Sequence, residues 1–356
     1  MKAPPSEGTR PERLLGEIAG AAAAALDRGV VECTIRIAGL PVRFLFGSPL
    51  LADRLTRAFH HLPSCPGAEP ALTIAAWDTA SAGAPPPPLP RDLDPSGPSW
   101  RRVLLDDPPL HAVFKPGPGS LSVVDRDRSL AWYWCADAAS VPVWEQGTPF
   151  LHVFHHWLSS RRMQLVHAGA AGDPDGGFLF VGKSGSGKST STLACVAGGM
   201  QYAGDDYVVV TDDPEPTVHA LYSSGKLDDG HITRFPELAS WVVNPEGPPD
   251  EKRVFFMADH APERATTSFP LTSVLLPQVT GLPSTRLVST PSARALAALA
   301  PSTIFQMPGA AGQELAAIAA LLRQVPAYLL EAGTDLSAIA PAVRGLAVAG
   351  AGSPRP

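Results

Sequence analysis

Gly182-Lys183-Ser184-Gly185-Ser186-Gly187-Lys188-Ser189 satisfies G-x-x-x-x-G-K-[ST] at every required position, directly after the apolar run Phe178-Leu179-Phe180-Val181. No other feature constrains the fold as much, because such a loop works only between a strand and a helix. Glycines let the backbone wrap so that successive N–H groups point inward at phosphate oxygens. Lys188 adds a point charge near the β and γ phosphates, the Ser189 hydroxyl is a ligand for Mg²⁺, and the helix that starts at Lys188 adds its positive end. The spacing predicts that helix over Lys188 to Ala197, about 15 Å at 1.5 Å per residue. Gly198-Gly199 then supplies the residue type that tolerates a left-handed cap. Met200 to Gly204 is long enough, as a strand, to climb back to the level of the phosphates. That delivers Asp205 and Asp206 to the carboxyl end of a strand, where α/β sheets bind ligands. Two carboxylates there suggest a division of labour, one for Mg²⁺ and one to accept the proton of an attacking hydroxyl.

The segment before the loop places a histidine. Asp173-Pro174-Asp175-Gly176 is a turn signal. With Asp173 facing Gly176 across a hairpin, each step back along one strand faces a step forward along the other, and His167 falls opposite Gly182. A role at the nucleotide is the reading for His167.

The rest of the chain sets the frame. At 356 residues it is long enough for two domains. The formal charge of −6 lacks the basic signature of a nucleic-acid binder, so no nucleic-acid partner is expected. No leader pattern and no apolar run of membrane-spanning length stand out, and four scattered cysteines without a CxxC pair suit a reducing compartment. A cytoplasmic protein without a membrane partner is expected, with homo-oligomerisation left open. Residues 1–148 read as an α+β domain: an Ala-rich helix from about Arg13 to Asp27, one or two strands over Val31 to Phe46, and a helix over Pro49 to Leu62. Strand-like runs follow at Ala71 to Trp77, His111 to Lys115 and Leu121 to Val124, with a Pro-rich loop at Ala84 to Pro98. Trp132-Tyr133-Trp134 reads as strand-borne core. Residues 149–356 read as a P-loop α/β domain closed by a helical segment from Ala310 to Ala349, with one strand at Ala327 to Glu331. A helix from Thr148-Pro149 to Ser160 carries His152 and His156, spaced i and i+4, on a flank expected to face water.

His167, the apolar strand, the loop through Ser189-Thr190, the glycine-ended helix and Gly204-Asp205-Asp206 together resemble the catalytic domain of bacterial HPr kinase/phosphorylase, over roughly residues 165 to 225. The resemblance implies the phosphate-binding loop Gly182 to Thr190, Lys188 and Ser189 for phosphate and Mg²⁺, and Asp206 as proton acceptor. It further implies Asp205 as a metal or supporting carboxylate and His167 as a substrate or phosphate contact. The second signature of that family is absent downstream. Ser223-Ser224-Gly225-Lys226-Leu227, Lys252-Arg253-Val254, Ser302 to Pro308 and Ala327 to Glu331 are more similar to HPr-kinase-like proteins of biosynthetic clusters. Some of those phosphorylate serine in ribosomally made peptides such as lasso peptides.

The expected activity is therefore ATP- and Mg²⁺-dependent transfer to a serine hydroxyl of a peptide or small protein, with the N-terminal domain holding that partner. Two other classes stay open: a small-molecule kinase acting, for instance, on free serine, and an ATP-driven switch. Lys226 and Lys252, two of only six lysines, are candidates for neutralising the transferred phosphoryl group, but surface placement is the expectation for each.

Overall fold

The computed structural model describes residues 10–84, 86–87, 89, 102–304 and 311–350. Two large sheets dominate. The first comprises β1 (Val31–Ile37), β2 (Leu40–Phe46), β3 (Leu72–Asp78), β4 (Arg102–Asp107), β5 (Leu110–Lys115), β6 (Ser120–Asp125) and β7 (Leu130–Cys135), in the order β1-β2-β3-β7-β6-β5-β4. Its helical cover on one face is Arg10–Leu26, whose Leu15, Ile18, Ala22 and Ala25 pack on Trp77, Leu121, Val123 and Trp134. Trp132, Tyr133 and Trp134 are all buried in β7, so the aromatic run is core. Residues 85, 88 and 90–98 of the Pro-rich loop lie outside the described residues.

The second sheet holds β8 (Gln164–Val166), β9 (Gly169–Asp173), β10 (Gly176–Phe180), β11 (Gln201–Gly204), β12 (Val208–Thr211), β13 (Thr217–His219), β16 (Ser268–Val279), β17 (Arg286–Thr290) and β18 (Ala327–Ala332). A separate ribbon pairs β14 (Ser224–Leu227) with β15 (Arg253–Phe256). β10 runs parallel to β16 and β16 parallel to β18, the mixed α/β arrangement that a strand–loop–helix unit needs. The helices Lys188–Ala197 and Ile339–Gly350 cover one face through Leu193, Val196, Ile339 and Val343. The helices Ser292–Ile304 and Ala311–Gln324 cover the other through Leu299, Ile318, Leu321 and Leu322. Among the described residues no helix is long and apolar enough to cross a membrane, and all four cysteines are free thiols.

A fourth apolar cluster joins the two sheets. Phe44, Phe46 and Tyr133 of the first meet Leu165, Val209 and Tyr222 around Phe150, Phe154 and Trp157. The last two belong to a helix that spans Leu151–Ser159, not Thr148–Ser160. Thr148 instead ends the short helix Val143–Gly147, and Phe150 turns the chain through a left-handed conformation (φ 56°) before the next begins.

This helix also corrects the reading of its histidines. His152 and His156 are 3% and 2% exposed, because the helix lies between β6 and β8 and neither flank reaches water. The His156 ring stacks on His111 with centroids 3.8 Å apart. Among the described residues no group of three or more His, Cys, Asp or Glu side chains could hold a metal ion. Burial, reinforced by the neighbouring His155 and His111, holds His156 far below the ordinary histidine value. The unfolded chain therefore binds a proton there below about pH 6.5 that the folded chain refuses, and stability must fall as pH falls. Between pH 6.5 and 5 the loss from this group is expected to be about 2 kcal/mol. Denaturant unfolding of wild type and His156→Gln checks it: the variant should lose that much of the pH slope, and parallel slopes would refute it.

Candidate functional site

The turn at Asp173–Gly176 sets the geometry. β9 and β10 pair with Asp173 opposite Gly176 and stay in step to Gly169 opposite Phe180. β11 pairs antiparallel with β9, so it runs in the same direction as β10 and ends on the same edge. Two antiparallel steps thus bring Asp205 and Asp206, which follow β11, to the edge where the loop follows β10.

Within the loop, Gly185 and Gly187 sit at φ 76° and 99°, which side chains rarely adopt. Gly187 caps the helix Lys188–Ala197, and Gly199 ends it at φ 92°. The Lys188 ammonium folds back over the loop, donating to the carbonyls of Gly182 at 2.8 Å and Lys183 at 3.3 Å. Burial lowers its pKa, and the Asp205 and Asp206 carboxylates push it back up.

Asp205 is 3% exposed. Its Oδ2 accepts from the Lys226 backbone N–H at 3.2 Å, while its Oδ1 is buried without a hydrogen-bond partner. Burial raises its pKa, and the Lys226 amide and the nearby Ser189 hydroxyl oppose that rise. A buried orphan carboxylate oxygen beside a serine hydroxyl is the donor set a hard divalent cation takes, so these residues fit Mg²⁺.

Asp206 is held from two sides. Its Oδ1 lies 3.0 Å from His167 Nε2, and its Oδ2 accepts from Lys226 Nζ at 2.7 Å. Burial alone would raise its pKa, but Lys226 and His167 together hold the carboxyl well below the usual range. His167 is fixed in turn: its ring stacks on Tyr207 with centroids 5.1 Å apart, and its backbone N–H donates to Thr303 Oγ1 at 3.1 Å.

Lys226 departs from the surface placement expected of it. Only 15% of its side chain is exposed. The ribbon of β14 and β15 carries it inward, and Gly225 permits the approach, since a Cβ there would stand 2.2 Å from the Phe255 ring. Tyr202 ties the ribbon to β11 by donating to the Ser224 carbonyl at 2.6 Å. Lys252, by contrast, is exposed.

These side chains line one cavity. Of the residues singled out by sequence, His167, Ser184, Gly185, Gly187, Lys188, Ser189, Thr190, Asp205, Asp206, Lys226 and Lys252 line it. Gly182, Lys183 and Ser186 do not; the first two instead anchor Lys188 through their carbonyls. Leu227, Asp228 and His231 line the cavity without having been anticipated. The signal for Asp228 and His231 was the polar run Asp228-Asp229-Gly230-His231 at the start of the short helix Asp229–Ile232; Leu227 carried none.

No protein-family model matches the sequence, and no curated protein matches it. Among solved structures, the chain is similar to the HPr(Ser) kinase/phosphatase from Coxiella burnetii, with 14% identity and a TM-score of 0.32. The match covers 53% of this chain and 99% of that one. So distant a likeness carries no functional argument, and the chemistry follows from the cavity itself.

That chemistry is specific. A glycine-bearing loop and a buried lysine face two carboxylates of opposite disposition, one with a free oxygen beside Ser189 and one locked as an anion by a lysine and a histidine.

Proposed function

We propose that this chain is an ATP- and Mg²⁺-dependent kinase that transfers the γ-phosphoryl group to a serine hydroxyl of a peptide or small protein. The observation that supports it most is Asp206, an ionised carboxylate at the mouth of a phosphate cradle, gripped by His167 Nε2 at 3.0 Å and Lys226 Nζ at 2.7 Å. A switch that only binds and releases nucleotide has no use for a carboxylate so placed.

Phosphoryl transfer through a loose transition state requires mainly positioning and charge neutralisation. The loop amides and Lys188 bind the triphosphate. Asp205 Oδ1 and the Ser189 hydroxyl would hold Mg²⁺, which when bound neutralises charge on the β and γ oxygens. The serine hydroxyl donates to Asp206, which aligns its oxygen with the γ phosphorus. As the new P–O bond forms and the bond to the departing ADP breaks, the hydroxyl proton passes to Asp206. A carboxylate with so low a pKa is a weak base, which suits a proton lost late. Lys226 stands close enough to follow the charge onto the transferred group, while His167 keeps Asp206 in place.

The test is transfer of labelled γ-phosphate to serine-containing peptides and to the same peptides carrying alanine. Label is expected on the serine peptides alone. His167→Ala should cut transfer about 10- to 100-fold, the worth of a hydrogen bond to a charged group, with an unchanged thermal melt. Label found only on free serine would favour a small-molecule kinase. Label released solely as free phosphate, whatever acceptor is present, would overturn the kinase reading in favour of a switch.

A further inference from the structure

The ribbon of β14 and β15, which carries Lys226, is a sheet of its own and joins neither large sheet. Two strands alone are only marginally stable, so outside contacts set where such a ribbon lies. Three consecutive residues before Gly225 and Lys226 supply those contacts, each to the backbone of the N-terminal half. The Tyr222 hydroxyl donates to the Pro149 carbonyl at 2.8 Å, the Ser223 N–H to the Ala58 carbonyl at 2.8 Å, and the Ser224 hydroxyl to the Gly147 carbonyl. All three residues are buried. Gly147 is held in turn, because it ends the short helix Val143–Gly147, in which Glu145 accepts from Lys115 Nζ of β5 at 2.6 Å. Lys115 and Glu145 are 8% and 1% exposed. An ion pair so enclosed keeps its geometry, since parting the charges would strand each one away from water.

We propose that Ser224 is a positioning residue for phosphoryl transfer: bound to the Gly147 carbonyl, it fixes the ribbon so that the Lys226 ammonium meets Asp206, and it makes the first sheet part of the catalytic frame. The inference rests on the kinase reading and adds to it the group that sets Lys226. Ser224 and Lys226 are two residues apart in β14 and project to the same face. The hydroxyl of one reaches Gly147 while the ammonium of the other reaches Asp206 Oδ2 at 2.7 Å. Ser224 is gripped from the catalytic side as well, where its carbonyl accepts from the Tyr202 hydroxyl of β11 at 2.6 Å, three residues before Asp205. One residue thus joins the frame of the first sheet to the strand that delivers the carboxylates. Lys115, Glu145 and the helix end transmit the position of the first sheet, and none of them lines the cavity.

A double-mutant cycle of Ser224→Ala and Lys226→Met, read by transfer of labelled γ-phosphate, separates positioning from mere support of the fold. Lys226→Met should lower kcat about 100-fold, the worth of one charged contact to the transition state. Ser224→Ala should lower it about tenfold, as a displaced ammonium forfeits part of that contact, while calorimetry finds Mg-ATP affinity unchanged because the loop and Lys188 are untouched. In the Lys226→Met background Ser224→Ala should cost nothing further, since no ammonium is left to position. A residue that only supported the fold would cost the same factor in both backgrounds. That result, or full kcat in Ser224→Ala, overturns the proposal and leaves the kinase reading standing. Full transfer by Lys226→Met removes Lys226 from the reaction and the proposal with it; no transfer by wild type to any acceptor removes the kinase reading too. Should Ser224→Ala fail to melt cooperatively, Tyr202→Phe, which deletes the other hydrogen bond at Ser224 and keeps the ring, takes its place in the cycle with the same outcomes.

Discussion

Asp206→Asn is expected to lower phosphoryl transfer about 10²- to 10⁴-fold, the contribution of a positioned general base, while Mg-ATP binds at least as tightly as before. The amide preserves the size of the side chain but takes up no proton. It also answers its two neighbours badly: one end can still accept from Lys226, but the other presents a donor to His167 Nε2, which donates to Oδ1 in the wild type. Loss of the negative charge leaves the charge of Lys226 uncompensated beside the phosphates, which favours the anionic ligand. Binding and catalysis should therefore move in opposite directions. Calorimetry and the labelled transfer assay, run on the same preparation, read the two. Asp205→Asn should behave differently, because Asp205 offers its free Oδ1 to the cation; transfer should recover as Mg²⁺ is raised. Transfer undiminished in Asp206→Asn would remove the carboxylate from the reaction.

Much of this site was legible because local rules dictate it. The loop sequence specifies the strand before and the helix after, and the helix spans Lys188–Ala197, as its caps require. The turn at Asp173–Gly176 fixes a register that runs unbroken to Gly169 and Phe180. Once the chain has turned at Gly198-Gly199, a four-residue strand has only one edge to reach. What was illegible depends on pairing between distant segments. Nothing local says that β14 will pair with β15, so the inward turn of Lys226 could not be read from its own neighbourhood. The same holds for His152 and His156. A polar flank looks solvated when a helix is considered alone, and here a second sheet covers it. The twelve-residue β16, central in the second sheet, was not among the strands expected; it carries Pro270 and Pro277, and proline within a run argues against a central strand.

Lys188→Ala is expected to produce the other large effect, and by a different route. Lys188 is 7% exposed, and its ammonium is the strap that joins the first two residues of the loop to the helix, through the carbonyls of Gly182 and Lys183. A bound triphosphate replaces those carbonyls as its partner. Hydrogen bonds to charged groups contribute about 1.5–3 kcal/mol each, so truncation should weaken Mg-ATP about 10- to 100-fold. Transfer should fall further still, because the γ oxygens carry their charge into the transition state and lose the cation that faces it. The fold should survive, since Lys188 packs against loop carbonyls and not in an apolar cluster. Removing the ammonium also leaves Asp205 with less positive charge nearby, so its already raised pKa should climb further and Mg²⁺ binding should weaken sooner as pH falls. The two variants thus separate the halves of the cavity: Asp206→Asn binds and does not transfer, Lys188→Ala hardly binds. Unchanged Mg-ATP affinity in Lys188→Ala, at any pH between 6 and 8, would mean that the cavity is not a triphosphate site.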